Sequence, residues 1–217
     1  MMLRAALGFF TRLPIGSAPL PPTFRGVAVW LPVVGLIIGA LVSLALGLAA
    51  QLLPASLCGV IGCLVWVAVT GGLHLDGVAD CGDGLIVEAP PARRLEIMKD
   101  SRLGTFGGAA LFFILALKAA ALGALAGTFQ ADGSGPDAFG EALHEGVTSR
   151  HELIALAIGL GICAVNGVRG LYALAIALLA AYLLLSAAKK RLGGVTGDVF
   201  GCLVELTECV VLIVCCV

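Results

Sequence analysis

The chain has 217 residues, of which 60% are hydrophobic and 12% charged, with a formal net charge of −1. Soluble domains carry about 25% charged residues, so this supply cannot cover a water-facing surface and apolar side chains must face lipid. A near-neutral balance without a basic stripe also gives no case for a nucleic-acid partner, and the length suits one domain built from a handful of helices.

The elements follow in chain order. Residues 1–10 are apolar but too short to span, and Thr11-Arg12-Leu13-Pro14 follows without a cleavage site of small residues. An interfacial or partly embedded helix is expected there, with Arg4 and Arg12 at the head-group level, rather than a cleaved signal. Val27 to Leu53, interrupted only by Gln51 and stopped by Pro54, is long enough for a tilted span. Leu57 to Leu73 is a second span. From His74 to Arg102 the chain turns polar, with aspartates, a Pro90-Pro91 break, and the bases Arg93, Arg94, Lys99 and Arg102. Leu103 to Gly127 is a third span whose only charge is Lys118. Thr128 to Glu152 is a polar, acidic loop. Leu153 to Ala187 is too long for one span and splits at Asn166–Gly170 into two, the first of them short. Lys189-Lys190-Arg191 opens a glycine-rich turn, Gly193 to Asp198, and Val199 to Val217 is the last span, containing Glu205 and Glu208. The expected fold is all-α: a polytopic transmembrane helix bundle of about six spans, since lipid offers unpaired backbone groups no partner. It forms a single domain over residues 1–217, with a polar active-site loop at about 74–102. The cysteines form no C-x-x-C pair and sit mostly in apolar runs, where they act as small packing residues.

The chemistry concentrates in His74-Leu75-Asp76-Gly77-Val78-Ala79-Asp80-Cys81-Gly82-Asp83-Gly84. On a helix, spacings of four and three put Asp76, Asp80 and Asp83 within a sector of about 60°. Three carboxylates on one face repel one another unless a cation sits among them. Mg²⁺ suits that role, because it takes oxygen ligands and is usually shared between carboxylates and substrate phosphates. Gly77, Gly82 and Gly84 would let a phosphate ligand approach the backbone. The competing reading is a solvated acidic loop at a membrane edge. Lys99 and Arg102 are placed either to clamp phosphate oxygens or to anchor the loop on the cytoplasmic side. His74 is a candidate general base or a hydrogen-bonded helix-end residue. Glu205 and Glu208 share one helical face, and Asp198, seven residues before Glu205, falls on it too. Acids inside a span mark function by default, or else they partner Lys118 or Arg169 within the bundle. A cation carrier lined by such acids is the reading from another class.

Several blocks together resemble the adenosylcobinamide-GDP ribazoletransferase, or cobalamin synthase, family of the bacterial inner membrane. They are Phe10–Pro14, Arg25-Gly26 with Pro32 and Gly35, Thr70–Leu73 running into His74–Gly84, Leu95–Gly108, and Leu192–Asp198 with Glu205 and Glu208. The resemblance implies a multi-pass inner-membrane enzyme whose active-site loop is cytoplasmic. A hydroxyl of α-ribazole, or of its 5′-phosphate, attacks the phosphate on the cobinamide side of adenosylcobinamide-GDP. GMP leaves, and the product is adenosylcobalamin or its 5′-phosphate. It further implies Mg²⁺-dependent chemistry of the kind glycerophospholipid synthases use, with Asp76, Asp80 and Asp83 as the metal and pyrophosphate centre and His74 beside them. Lys99, Asp100, Arg102, Arg12, Asp198 and Glu205 become substrate contacts, and homo-oligomerisation is left open. The nearest competing enzyme class, the CDP-alcohol phosphotransferases, wants Asp-Gly-x-x-Ala-Arg where this chain reads Asp76-Gly77-Val78-Ala79-Asp80. The chain also departs from the resembled family, whose members carry another helix before the Gly135–Gly140 segment; one span fewer than typical is expected. Counting alternate crossings from a cytoplasmic Arg93–Arg102 loop then puts Lys189–Arg191 and the Gly193–Asp198 turn on the wrong side, away from the aspartates; one additional crossing would repair this, and without it a neighbouring segment is re-entrant or activity is impaired.

Overall fold

The structure, a computed structural model, describes residues 2–16, 27, 29–132 and 167–216. Among these residues the chain is helical throughout and has no strand. The helices are α1 (Met2–Phe10), α2 (Leu31–Ala50), α3 (Ala55–Thr70), α4 (Leu73–Ile86), α5 (Pro91–Met98), α6 (Thr105–Asp132), α7 (Gly167–Leu192) and α8 (Gly197–Cys215). Three of them, α2, α6 and α7, are long and apolar enough to cross a membrane, and α3 with α4 makes a fourth if that broken pair is counted as one span. The all-α, polytopic expectation therefore stands. The expected span at the start of Leu153–Ala187 lies outside the described residues, and α8 carries Asp198, Glu205 and Glu208, which set it apart from a purely lipid-facing helix. Prolines and glycines set the boundaries, Pro54 where the sequence suggested and Gly71-Gly72 inside what was expected to be one span from Leu57 to Leu73. Pro32 stands in the first turn of α2, Pro54 caps α3, and Gly71 and Gly72 both take φ +67° to end α3 and begin α4. Left-handed backbone at two successive positions is affordable only for glycine.

The described residues fall into two compact units: residues 1–71 with 122–167, and residues 72–121 with 168–217. In the first, Ala6 of α1 is packed with Val27 and Val34, and Trp30 and Ile38 close over them. Thr11 Oγ1 donates to Leu7 O at 2.6 Å, finishing α1, and Arg12 N donates to Val69 O at 2.7 Å. That backbone bond ties the Thr11–Pro14 segment to the end of α3. A Cβ on Gly71 would meet the Arg12 side chain, so space as well as φ demands glycine there. Helices α2 and α3 pack closely enough that a Cβ on Gly62 would lie 2.7 Å from Leu46 Cδ2.

The second unit is assembled around α4. A Cβ on Gly77 would collide with the Asp198 carbonyl and lie 3.1 Å from Cys202 N, both on α8. A Cβ on Gly82 would lie 2.8 Å from Phe106 O at the start of α6, and one on Gly84 would run into Met98 of α5. Glycine in a helix costs about 1 kcal/mol against alanine, and here each one admits a different neighbouring helix. The expectation that these glycines leave room for a phosphate ligand is thereby corrected: protein fills the room.

Two arginines finish α4. The buried Arg94 donates Nη1 to Gly84 O (3.0 Å) and Leu85 O (2.9 Å) and Nε to Ala89 O (2.7 Å). Arg191, in the last turn of α7, donates Nη1 to Leu85 O at 2.6 Å. Cations at the carbonyl end satisfy orphan acceptors and oppose the helix dipole. The contact also corrects the crossing count. Helix α6 starts against α4, and α7 ends on it, so Lys189–Arg191 and the turn into Asp198 return to the aspartates instead of lying across from them.

Helices α6 and α8 then run side by side away from α4. Lys118 Nζ of α6 donates to Glu205 Oε2 at 2.5 Å and to Glu208 Oε2 at 2.6 Å. Of the two partners the sequence offered these acids, Lys118 takes both. The pairing sets the axial register of α8, and with it the height of Asp198 two turns above Glu205.

Candidate active site

Helix α4 presents His74, Asp76, Asp80 and Asp83. At 14 residues it is about 21 Å long, too short to cross a hydrocarbon core of about 30 Å, and we read it as lying outside the spans. Asp76 is exposed in the first turn, where the positive end of the helix favours a carboxylate. Asp80 is half-buried, and its carboxyl is pushed up to about 6, first by burial and then by the charges of Asp76, Asp198 and Asp83. A free aspartate titrates near 3.9, and burial within a field of like charge raises a carboxyl in this way.

Asp198 joins this field from the first turn of α8. The Gly77 crossing brings it there, since the α8 backbone at Asp198 touches the α4 backbone one residue beyond Asp76. Asp83 is engaged differently: Oδ2 accepts from Gly104 N at 2.7 Å and Oδ1 from Gly107 N at 2.8 Å. His74 packs near Gly201 of α8. Burial holds its imidazole below the ordinary value against the opposing charge of Glu205, which favours the neutral, proton-accepting form. Cys81 is buried, and Cys202 of α8 packs against the cluster that holds it, so Cys81 is a packing residue.

The basic loop lies between α5 and α6. Lys99 is exposed at the end of α5. Arg102 grips Asp100, with Nε donating to Oδ1 at 3.0 Å and Nη2 to Oδ2 at 2.6 Å. These bonds hold the Asp100 carboxyl at about 2. Exposed pairs of this kind add little stability; the consequence is that Arg102 presents an already oriented guanidinium, and a phosphate would exchange with the Asp100 carboxylate to reach it. Arg12 belongs to the first unit, along Gly71. Glu205, expected among the substrate contacts, is buried at 4% exposure and committed to Lys118, the bundle role that was its competing reading.

Among the described residues no three His, Cys, Asp or Glu side chains form a ready-made metal cage. Mg²⁺ does not require one, because it is usually held by one or two carboxylates with waters and substrate phosphates. Asp76 and Asp80, hard oxygen donors in a crowded negative field, fit that pattern. The sequence reading missed Arg94, Arg191 and the pair Gly104 and Gly107. The signal for the glycines was their i, i+3 spacing at the start of a span.

Spanning helices, a crowded carboxylate face and a basic loop held beside it define a polytopic membrane transferase built around acidic residues. The chain belongs to the cobalamin-5-phosphate synthase family, which it matches over residues 2–131 and again over 128–216. It is similar to the adenosylcobinamide-GDP ribazoletransferases of Pseudomonas aeruginosa (35% identity, 97% of this chain and 96% of the relative) and Stutzerimonas stutzeri (38%, 97% and 96%). The Escherichia coli enzyme of that name is 32% identical over 96% of both chains. These alignments run to 238 and 239 residues, longer than the chain itself, so the relatives carry residues that this chain lacks. The family match divides at residues 128–131, where the shortening was expected. No solved structure matches the chain.

Proposed function

We propose that this chain joins adenosylcobinamide-GDP to α-ribazole or its 5′-phosphate, releasing GMP and forming adenosylcobalamin or its 5′-phosphate. One observation carries the reading beyond family membership: the α4–α8 crossing at Gly77, which sets Asp198 into the field of Asp76 and Asp80. Phosphoryl transfer depends chiefly on positioning and on neutralising charge, and carboxylates that would take a cation stand here next to a basic loop. Mg²⁺, when bound by Asp76 and Asp80, would neutralise pyrophosphate charge and orient the leaving group. Lys99 and Arg102 would contact phosphate oxygens, Arg102 through the face now turned to Asp100. His74, kept neutral by burial, stands as the candidate acceptor for the proton of the attacking hydroxyl.

The loop is assigned to the cytoplasm of a bacterial inner membrane. Arg93, Arg94, Lys99, Arg102 and Lys189–Arg191 belong to the α4 end of the second unit, and an excess of lysine and arginine marks the cytoplasmic side. The test is GMP release from adenosylcobinamide-GDP and α-ribazole by purified protein in micelles, with Mg²⁺ and with chelator. Release that depends on both substrates and on Mg²⁺ is expected; no GMP under any metal condition would overturn the proposal.

A further inference from the structure

Asp83 is already in use. Helix α6 begins at Thr105, so its cap position is Gly104, which has no side chain, and the amides of its first turn have no partner within the helix. Asp83 reaches over from α4 and accepts from Gly104 N and Gly107 N, at 2.7 and 2.8 Å. In a capping box those two amides are satisfied by two side chains of the helix itself; here a single carboxylate from another helix serves both. The glycines form its socket, since a Cβ on either would collide with the Asp83 carboxylate, lying 2.7 Å from Cγ at Gly104 and 2.9 Å at Gly107. Beside it, a Cβ on Gly82 would lie 2.9 Å from Gly107 Cα, so the two backbones touch. The loop bearing Lys99, Asp100 and Arg102 is therefore fixed at both ends: at Met98, buried against Gly84, and at this clamp.

We propose that Asp83 is a positioning residue: it holds the Lys99–Gly104 loop beside the helix that bears Asp76 and Asp80, and the divalent ion is left to those two carboxylates and the substrate. The identity of the substrate rests on the transferase reading above; the clamp does not. Three measurements on the full-length chain in micelles decide it. They are Mn²⁺ binding without substrate, read from the free-ion EPR signal; the rate of trypsin cleavage after Arg102, mapped by mass spectrometry; and the KM for adenosylcobinamide-GDP set against the Mg²⁺ concentration for half-activation.

Asp83→Asn offers one acceptor where two amides need one, and Gly107→Ala displaces the carboxylate without removing it. Both variants are expected to be cut about tenfold faster and to raise KM about ten- to a hundredfold, with Mn²⁺ affinity and Mg²⁺ half-activation unchanged. Asp80→Asn should do the reverse, losing Mn²⁺ while its loop stays protected. Gly104→Ala replaces Gly107→Ala if the latter is not monodisperse. The proposal is overturned if Asp83→Asn weakens Mn²⁺ binding as Asp80→Asn does, or if the glycine variant behaves as wild type throughout. If the wild type releases no GMP, the transferase reading fails, while the Mn²⁺ and trypsin measurements still decide the role of Asp83.

Discussion

Replacing Lys118 with methionine keeps the length of the side chain and removes its charge. The Lys118 side chain is 3% exposed, and its partners Glu205 and Glu208 are 5% and 30% exposed, so the pairing is a buried one with a single open edge. Breaking such a pair from one side costs about 3–5 kcal/mol, because the remaining charges lose their partner inside a medium that solvates them poorly. Protonation of one glutamate would recover part of this. Glu208→Gln, at the more open edge, leaves Lys118 bonded to Glu205 and should cost only about 1 kcal/mol. The triple variant Lys118→Met/Glu205→Leu/Glu208→Leu removes all the charges together and should come close to wild type in stability. The assay is the midpoint of thermal loss of monodisperse protein in micelles, read by gel filtration after heating. The expected order of stability is wild type and triple variant, then Glu208→Gln, then Lys118→Met. Activity should follow a different order. The triple variant should lower GMP release despite its stability, since only the Gly77 crossing then holds Asp198, about 10 Å, or seven helical residues, above the lost pairing. A Lys118→Met protein as stable as wild type would refute the reasoning that this pairing holds α8 in register.

Further outcomes are expected. Asp80→Asn should abolish turnover while membrane insertion stays intact, checked by GMP release and by the amount of protein in the membrane fraction. With the wild-type carboxyl raised to about 6, above its ordinary value near 3.9, the folded state holds a proton that the unfolded state has released across pH 4–6. Stability therefore falls, and the carboxylate that would hold a cation forms, as pH rises through that window; kcat/KM should climb toward a plateau above pH 6, and a flat profile from pH 5 to 7 would contradict the assignment. Gly77→Ala should destabilise by about 1–3 kcal/mol, because its Cβ would meet α8 backbone that cannot move aside. Gly47→Ala, whose Cβ would meet nothing within 4 Å, should be neutral or stabilising by up to about 1 kcal/mol in the same thermal assay. Arg94→Ala strips the partner from Gly84 O and Ala89 O while Arg191 still serves Leu85 O. A loss of about 2–3 kcal/mol is expected, and Arg94→Lys should restore little of it, because an ammonium cannot reproduce the fork.

The parts of this fold that were legible in the sequence are those that depend on neighbours along the chain. Pro54 and the break near Gly167 mark helix ends because φ restrictions act locally. The shared face of Asp198, Glu205 and Glu208 follows from helical period alone, and burial of acids in an apolar run already required a cation such as Lys118. The features that the sequence left unseen all depend on which distant segment arrives. Gly77, Gly82 and Gly84 read as space for a ligand until α8, α6 and α5 are seen to fill it. Asp83 shares its helical sector with Asp76 and Asp80, and nothing within α4 reveals that Gly104 and Gly107 claim its oxygens. The crossing count failed for a similar reason: parity propagates any misassigned span, whereas a contact such as Arg191 on Leu85 fixes the side directly.

That division has a consequence for how the aspartates operate. A helix as rich in glycine as α4 is a poor helix by propensity, and in this protein it is held from outside. Arg94 and Arg191 hold its carbonyl end, α8 presses on Gly77, and α6 is clamped to it through Asp83. The crowding that raises Asp80 is thus stored in packing that spans do not need for insertion. A cation bound there would relieve it, so ion binding should stiffen α4 as well as complete the site. Addition of Mg²⁺ alone should raise the thermal midpoint of the wild type and leave Asp80→Asn unchanged, as expected for a ligand that binds only the folded state. An equal rise in both proteins would place the stabilising ion elsewhere.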